Sequence, residues 1–123
     1  MPKSGTHGPS RKARLESLLH QEVAQCVQQE LNDPRLGFIT IVRVELTGDL
    51  HQATAYYTVL GDEKQRKLAA AALDRARGFV QNRYAPVVQT RLLPTLRFAY
   101  DDQEDKRQTM DELIRKARAT DPT

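Results

Sequence analysis

The apolar pattern of the N-terminal third predicts one long amphipathic helix. From Leu15 onward, apolar side chains recur at spacings of three and four residues, so that they form one stripe along a helix. The stripe comprises Leu15, Leu18, Leu19, Val23, Cys26, Val27 and Leu31. Pro9 and Ser10 favour a helix start before it, and "NDPRLG" (32–37) favours a stop, because proline cannot continue a helix.

Residues 38–60 change to a period of two, which predicts an antiparallel hairpin. Strict alternation in the first strand places on one face Phe38, Thr40, Val42, Val44 and Leu46. The same alternation places Ile39 and Ile41 on the other face, beside Arg43 and Glu45, where we expect the isoleucines to be partly exposed. "TGDL" (47–50) supplies the turn. In the second strand, alternation predicts that one face is formed by Ala53, Ala55, Tyr57 and Val59.

A helix, a strand and a short helix are predicted for the rest of the chain. Asp62 and Glu63 favour a helix start, because negative charge is stabilised at the positive end of the helix dipole. A third strand is predicted where apolar residues alternate with others, at Leu96, Phe98 and Tyr100. A final short helix is marked by Met110, Leu113, Ile114 and Ala117. The acidic run 101–105 before it is interpreted as a helix cap and not as a carboxylate or cation site.

The helix between residues 63 and 85 contains a conflict that predicts a break at Gly78. With Leu68 at 0° and about 100° per residue, a buried arc of roughly 0–140° holds Leu68, Ala69, Ala72, Leu73 and Ala76. An unbroken helix would bring Arg83 to about 60°, inside this arc, where a guanidinium without a partner is costly. We therefore predict a kink, followed by a short helix with a new apolar stripe of Phe79, Val80 and Tyr84. The alternative is that Arg83 extends out of an unbroken helix to water.

The predicted order is therefore α-β-β-α-(kink)-α-β-α. It describes an α+β domain in which a three-stranded sheet carries its helices on one face. We expect residues 11–118 to form this domain, with a disordered basic arm in residues 1–10 and a disordered tail in residues 119–123.

Composition adds two facts, the distribution of charge and the single cysteine. The net charge of +3 is concentrated in two segments: residues 1–14 carry four cations and no acid, and residues 64–91 carry seven cations against Asp74 alone. This distribution is typical of a protein that binds a polyanion, although a solvated helix face gives the same pattern. Cys26 lies at helical spacing and is predicted to pack as a small hydrophobe. Without an apolar run of membrane length or a signal peptide, we expect a cytoplasmic protein.

The sequence offers no catalytic constellation, so we expect neither an enzyme nor a metal or cofactor site. His7, His20 and His51 lack a cysteine or second histidine at metal-ligand spacing. P-loop, GxSxG and HExxH motifs do not occur.

The glycine at position 78 has a functional and a structural interpretation. A glycine lets a nucleic acid backbone approach closely, and the amides that open a second helix present a positive dipole to a phosphate. Arg75, Arg77 and Arg83 on either side would add phosphate contacts and can stack on bases. The structural alternative is that Gly78 permits a close helix crossing.

Several segments, in the right order, resemble the bacterial ribosome-binding factor A (RbfA) family of type II KH-like domains. They are "NDPR" (32–35), the hairpin "ITIVRVELTGDLHQATAYY" (39–57), Ala76-Arg77-Gly78 and "LLPTLRFAYDD" (92–102). A KH domain usually clamps single-stranded RNA with a GxxG loop; in this family an AxG kink stands there. The resemblance spans residues 11–115 and departs from the family's pattern at Thr47-Gly48 and at Gln103.

The resemblance implies a factor that binds the immature small (30S) ribosomal subunit, contacts its 16S rRNA and assists late maturation, including processing of the 5′ end. It also implies a role in growth in the cold and no catalytic activity. Release of the factor from the subunit would be assisted by an assembly GTPase. We expect a monomer with no membrane contact. The predicted RNA-binding residues are Ala76, Arg77 and Gly78 at the kink, Arg75 and Arg83 beside it, Lys64, Lys67 and Arg91 around them, and Arg11, Lys12 and Arg14 as nonspecific phosphate contacts. The alternative is a protein-interaction domain that uses the open hairpin face and binds no RNA directly.

Overall fold

Two helices pack on one face of a three-stranded sheet in the computed structural model, which describes residues 10–88, 93–103 and 113–115. The elements are α1 (Arg11–Glu30), a 3-10 turn (Pro34–Leu36), β1 (Phe38–Leu46), β2 (Gln52–Leu60), α2 (Glu63–Tyr84) and β3 (Thr95–Tyr100). The sheet order is β1-β2-β3, with β1 and β2 antiparallel and β2 and β3 parallel. The predicted α+β class and the sheet covered on one face are confirmed.

Helix α1 follows its predicted stripe. The Ser10 side chain accepts a hydrogen bond from the Ala13 amide (3.1 Å) and so caps the helix start. The buried side chains of α1 are Leu15, Leu19, Val23, Cys26 and Val27. Burial raises the pKa of the Cys26 thiol, so this side chain stays neutral and packs as the predicted small hydrophobe. Past the helix end, the Asp33 carboxylate caps the 3-10 turn.

Strand β1 contains a bulge that the alternation did not reveal. Ile41 pairs with Tyr57 and Arg43 with Tyr56, so that Val42 is an extra residue between them. A one-residue insertion exchanges the two faces of a strand. Upstream of the bulge, the core side therefore carries Ile41, which is 6% exposed, and Ile39, which packs against the core. The large apolar residues exposed in this stretch are Phe38 and Val42, at 63% and 39%.

The expectation that Ile39 and Ile41 lie on the open face is therefore wrong. Both isoleucines lie on the helix side, and His20 from α1 lies within hydrogen-bond distance (2.8 Å) of the Ile41 carbonyl. Downstream of the bulge, Val44 and Leu46 are buried as predicted.

Strand β3 keeps the predicted alternation. Leu96 is buried and Phe98 packs against the same core, while Tyr100 makes an edge-to-face contact with Tyr57 on β2. The buried Asp101 follows the strand, and one of its oxygens accepts a hydrogen bond from the Gln103 amide (3.2 Å), as expected of a cap. Of the predicted final helix, Leu113 and Ile114 are helical, whereas Met110 and Ala117 lie outside the described residues. Residues 1–9 and 119–123, predicted as arm and tail, also lie outside them.

Helix α2 is one uninterrupted helix of 22 residues, so the predicted break at Gly78 is wrong. Its start carries a capping box between Asp62 and Gln65, in agreement with the predicted start. A single buried stripe passes the glycine without a change of direction. It consists of Ala69, Ala72, Leu73, Val80 and Tyr84, with Ala76 packed partly against the core.

Two contacts in the last turns explain why no kink is needed. Arg83 reaches α1, where its Nη2 donates a hydrogen bond to Gln29 Oε1 (2.9 Å), so its guanidinium is neither buried nor without a partner. The hydroxyl of the fully buried Tyr84 donates to the Pro94 carbonyl (2.6 Å). Phe79, predicted to join a new stripe, is 52% exposed, and Leu68 is 41% exposed.

Candidate nucleic-acid interface

The side of α2 that points away from the sheet carries four of the eleven predicted RNA-binding residues. At about 100° per residue, Lys64, Lys67, Arg75 and Gly78 fall within an arc of about 80°, and all four are exposed. We call this set the α2 stripe. Lys67 lies 3.8 Å from Glu63, one turn earlier, an exposed pair of small energetic weight.

The other three predicted residues of α2 lie outside the α2 stripe, each at a different position around the helix. Arg77 is exposed but lies about 100° from Gly78 and about 160° from Arg75 around the helix. Arg83 is turned toward α1 and engaged with Gln29. Ala76 is half-buried and packs against the core. The side chains of Arg75 and Arg77 thus lie on two flanks of one exposed helix surface.

No contact in the described part of the chain requires a glycine at position 78. A Cβ built at this position has no atom within 4 Å in the described part of the chain, so no helix crosses there closely. The described residues therefore do not support the structural alternative, in which Gly78 permits a close helix crossing. A glycine in a helix interior costs about 1 kcal/mol relative to alanine. The protein carries this cost at a solvent-facing position on the α2 stripe, which favours a partner outside the chain that approaches the helix backbone.

Replacing Gly78 with alanine is expected to raise the free energy of unfolding by about 1 kcal/mol, because a helical residue gains propensity and meets no neighbour. The measurement is chemical denaturation monitored by circular dichroism. The exposed Ala71 on the same helix supplies the matched control: Ala71→Gly should lower the free energy of unfolding by a similar amount. A destabilising Gly78→Ala would show that the glycine has a structural role after all.

The first turn of α1 is a second concentration of positive charge. Arg11, Lys12 and Arg14 lie there, all three of them exposed, and no acid accompanies them in that turn. Cations at the positive end of a helix dipole are unfavourable by a few tenths of a kcal/mol each, roughly. This arrangement does not stabilise the helix and suits contacts with phosphate. Arg91 lies outside the described residues.

A cleft beside the α2 stripe brings together residues that the sequence did not identify as a site. It has a volume of about 310 Å³ and lies between the 3-10 turn and α2. Leu36 and Leu68 contribute apolar walls, and Arg35 and Arg75 contribute guanidinium groups. The only sequence signal near this cleft is "NDPR", which indicates a helix stop and is one of the segments that resemble the family. It does not reveal the cleft, because nothing in a single sequence shows that residue 35 faces residue 75.

Arg35 is held in place by Asp33. Its Nε and Nη2 donate to the carboxylate at 3.2, 3.1 and 2.7 Å, and the Asp33 Oδ1 also accepts from the Arg35 amide at 3.0 Å. These hydrogen bonds lower the pKa of Asp33, so the carboxylate stays charged at neutral pH. The pair fixes the plane of an otherwise exposed guanidinium.

A charged cluster on the open sheet face has a structural role. Arg43 lies 2.9 Å from Glu45 and 3.0 Å from the buried Asp101, and its guanidinium stacks 4.0 Å from the Tyr56 ring centre. It joins β1 to the end of β3 across the sheet.

Within the described residues, no group of three or more histidine, cysteine or acidic side chains is placed to hold a metal ion.

No helix in the described part of the chain combines the length and the apolar character that a membrane span requires.

In comparisons with known proteins, the matching family model, a similar sequence and similar solved structures all carry the same family name. The family model "Ribosome-binding factor A" matches residues 11–114. The protein of that name from Streptomyces griseus is 39% identical over 112 residues, which cover 91% of this chain and 71% of that protein. The crystal structure of ribosome-binding factor A from Thermus thermophilus is similar with a TM-score of 0.63 and 33% identity, and the match covers 74% of this chain and 97% of that one.

A second structure shows a relative on its target. It is a homology model of the Thermus thermophilus ribosome binding factor A, fitted into the cryo-EM map of a 30S complex. Its TM-score is 0.62 at 33% identity, and the match covers 74% of this chain and 96% of that one.

Proposed function

This chain belongs to the ribosome-binding factor A family, which shares its α+β, type II KH-like fold, and we propose that it is a ribosome assembly factor. It binds the immature 30S subunit, contacts the 16S rRNA and assists late maturation, including processing of the 5′ end. The observation that carries the proposal is the uncovered surface of α2, where exposed cations flank a glycine that nothing in the described chain approaches. A relative fitted into the map of a 30S complex supports the same target.

The α2 stripe and Arg77 form the RNA-facing surface in this proposal. Because a Cβ is missing at Gly78, a phosphate or ribose can lie directly against the helix backbone. Lys64, Lys67, Arg75 and Arg77 then neutralise phosphates on both sides of that approach. Contacts of this kind position RNA and do not distinguish bases.

Three residues of α1 extend this surface, and Arg83 stays at its edge. Arg11, Lys12 and Arg14 provide additional phosphate contacts that depend only on charge. Arg83, held by Gln29, supports the junction of the two helices, and Arg91 is proposed as a further contact of the same kind.

The protein acts by binding and not by catalysis, as a monomer, and an assembly GTPase helps its release from the subunit. A factor that only binds must leave before the subunit is used. We therefore expect its affinity to be higher for the immature particle than for the mature one.

The test is binding of the purified protein to mature and immature 30S subunits between about 50 and 200 mM salt. Phosphate neutralisation releases counterions, so the logarithm of the binding constant should fall linearly and steeply with the logarithm of salt concentration. We expect this slope together with a preference for the immature particle. Binding that is insensitive to salt, or equal for both particles, would contradict the proposal.

A second candidate function rests on one observation, the exposed apolar pair Phe38 and Leu60. Their Cα atoms are partners at the end of the hairpin, and the residues are 63% and 79% exposed. A protein partner that covers this pair would bind through apolar burial, with weak dependence on salt. The salt series above distinguishes the two candidates.

A further inference from the structure

The cleft between the 3-10 turn and α2 is shaped for a small ligand group. Its volume of about 310 Å³ lies at the lower end of the roughly 300–1,000 Å³ typical of small-molecule sites. Apolar side chains from three parts of the chain meet there: Leu31 after α1, Leu36 in the 3-10 turn, and Leu68 with Ala72 on α2. Leu68 remains 41% exposed although a buried stripe runs beside it. The cleft thus presents exposed leucine side chains beside its charged groups.

The rim of the cleft carries a flat and immobilised guanidinium. Three side-chain hydrogen bonds to Asp33 fix the plane of Arg35, whose side chain is nonetheless 83% exposed. An exposed arginine loses rotamer entropy when it binds a ligand, and the hydrogen bonds to Asp33 reduce this loss for Arg35. A guanidinium plane stacks on aromatic rings, which an ammonium group cannot do.

The charges decide which part of a nucleotide fits. Arg35 and Arg75 line the cleft together with Asp33 and Glu30, so that its formal charge is balanced. A cleft of balanced charge with leucine side chains in its wall suits an uncharged planar ring and not a phosphate. The cations of the α2 stripe lie next to it and suit the phosphates on either side of that ring.

We propose that this cleft takes one unstacked nucleobase of the bound single-stranded RNA, between the guanidinium plane of Arg35 and the side chain of Leu68. Arg75 contacts the adjoining phosphate. The inference rests on the proposed function, since it deepens the same RNA contact, and it assigns a base-binding role to residues outside the α2 stripe.

The experiment compares a short single-stranded oligoadenylate with an abasic oligonucleotide of the same length, which keeps the phosphates and lacks the rings. Stacking of one base on a protein side chain is worth roughly 1–3 kcal/mol, so the wild-type protein should prefer the base-bearing probe by about five- to 150-fold. Leu68→Ser and Arg35→Lys should both remove most of this preference. Arg35→Lys keeps the charge and loses only the plane, so a purely electrostatic role would leave the preference intact.

Leu113→Ser is the matched control, because it removes another exposed leucine outside the cleft lining and should leave the preference unchanged. Equal binding of both probes by the wild-type protein, or an unchanged preference in Leu68→Ser and Arg35→Lys, would overturn the base pocket. The proposed function is tested separately, by the salt dependence of binding to 30S subunits. Selective, salt-dependent 30S binding without a base preference rejects this inference alone.

Discussion

Replacing Arg75 and Arg77 together with glutamate is expected to weaken binding to the immature 30S subunit by roughly 100-fold at physiological salt. The estimate takes about 1.5 kcal/mol or more for each charge-assisted contact that is lost. The salt slope should also fall by about two, because two phosphates are no longer neutralised. Both side chains lie on the outer surface of α2, so the free energy of unfolding should change little. The measurement is the same salt series, with circular dichroism as the folding check.

A matched charge control separates this site from net charge. Arg97 and Arg115 are exposed outside α2, and the double variant Arg97→Glu, Arg115→Glu carries the same change in net charge. It should bind nearly as well as the wild-type protein. Similar losses in both double variants would mean that the protein binds through its overall charge and has no site on α2.

The single variants then show how the RNA lies on the helix. Arg75 and Arg77 are about 160° apart around α2, so one straight phosphate backbone cannot contact both. If Arg75→Glu and Arg77→Glu each weaken binding, the RNA covers the whole exposed surface of the helix. A loss in Arg75→Glu alone would restrict the RNA to the flank that borders the cleft.

Replacing Ile41 with aspartate is expected to unfold the protein, whereas the same change at the next residue should be tolerated. Ile41 is 6% exposed and Val42 is 39% exposed. A buried carboxylate without a partner costs several kcal/mol, which is comparable with a total stability of about 5–15 kcal/mol. Val42→Asp exchanges a surface side chain and should cost about 1 kcal/mol or less, the span of strand propensities. Thermal and urea denaturation measure both.

Ile41→Ala keeps this comparison quantitative where the aspartate variant does not fold. Its expected cost is about 2–4 kcal/mol from lost burial and the cavity that remains, against less than about 1 kcal/mol for Val42→Ala. Equal effects at the two positions would show that β1 has no bulge and that its faces follow strict alternation.

Two local costs on the surface point to the same kind of partner. Gly78 lowers helix propensity without relieving any contact, and Arg11, Lys12 and Arg14 place positive charge at the positive end of α1. Natural sequences violate local rules mainly where function requires it. A polyanion that approaches α2 closely and meets cations on both helices explains both features.

The sequence by itself determined the elements and most of the core. Helical spacing predicted the buried residues of α1, period-two alternation predicted β2 and β3, and Ser10 and Asp62 marked helix starts that the structure confirms. These features follow from local periodicity and from side chain to backbone contacts within three residues, which a single sequence displays. The concentration of cations in residues 64–91 was visible for the same reason.

Only the tertiary structure decided the features that depend on distant partners. The bulge at Val42 depends on pairing with β2, and it moved Ile39 and Ile41 to the core side. The conflict that predicted a kink in α2 is removed by Gln29, 54 residues earlier, which gives Arg83 a hydrogen-bond partner. The cleft exists because the 3-10 turn packs beside α2 and brings Arg35 to Arg75. Periodicity describes one element at a time, and each of these outcomes is a contact between two.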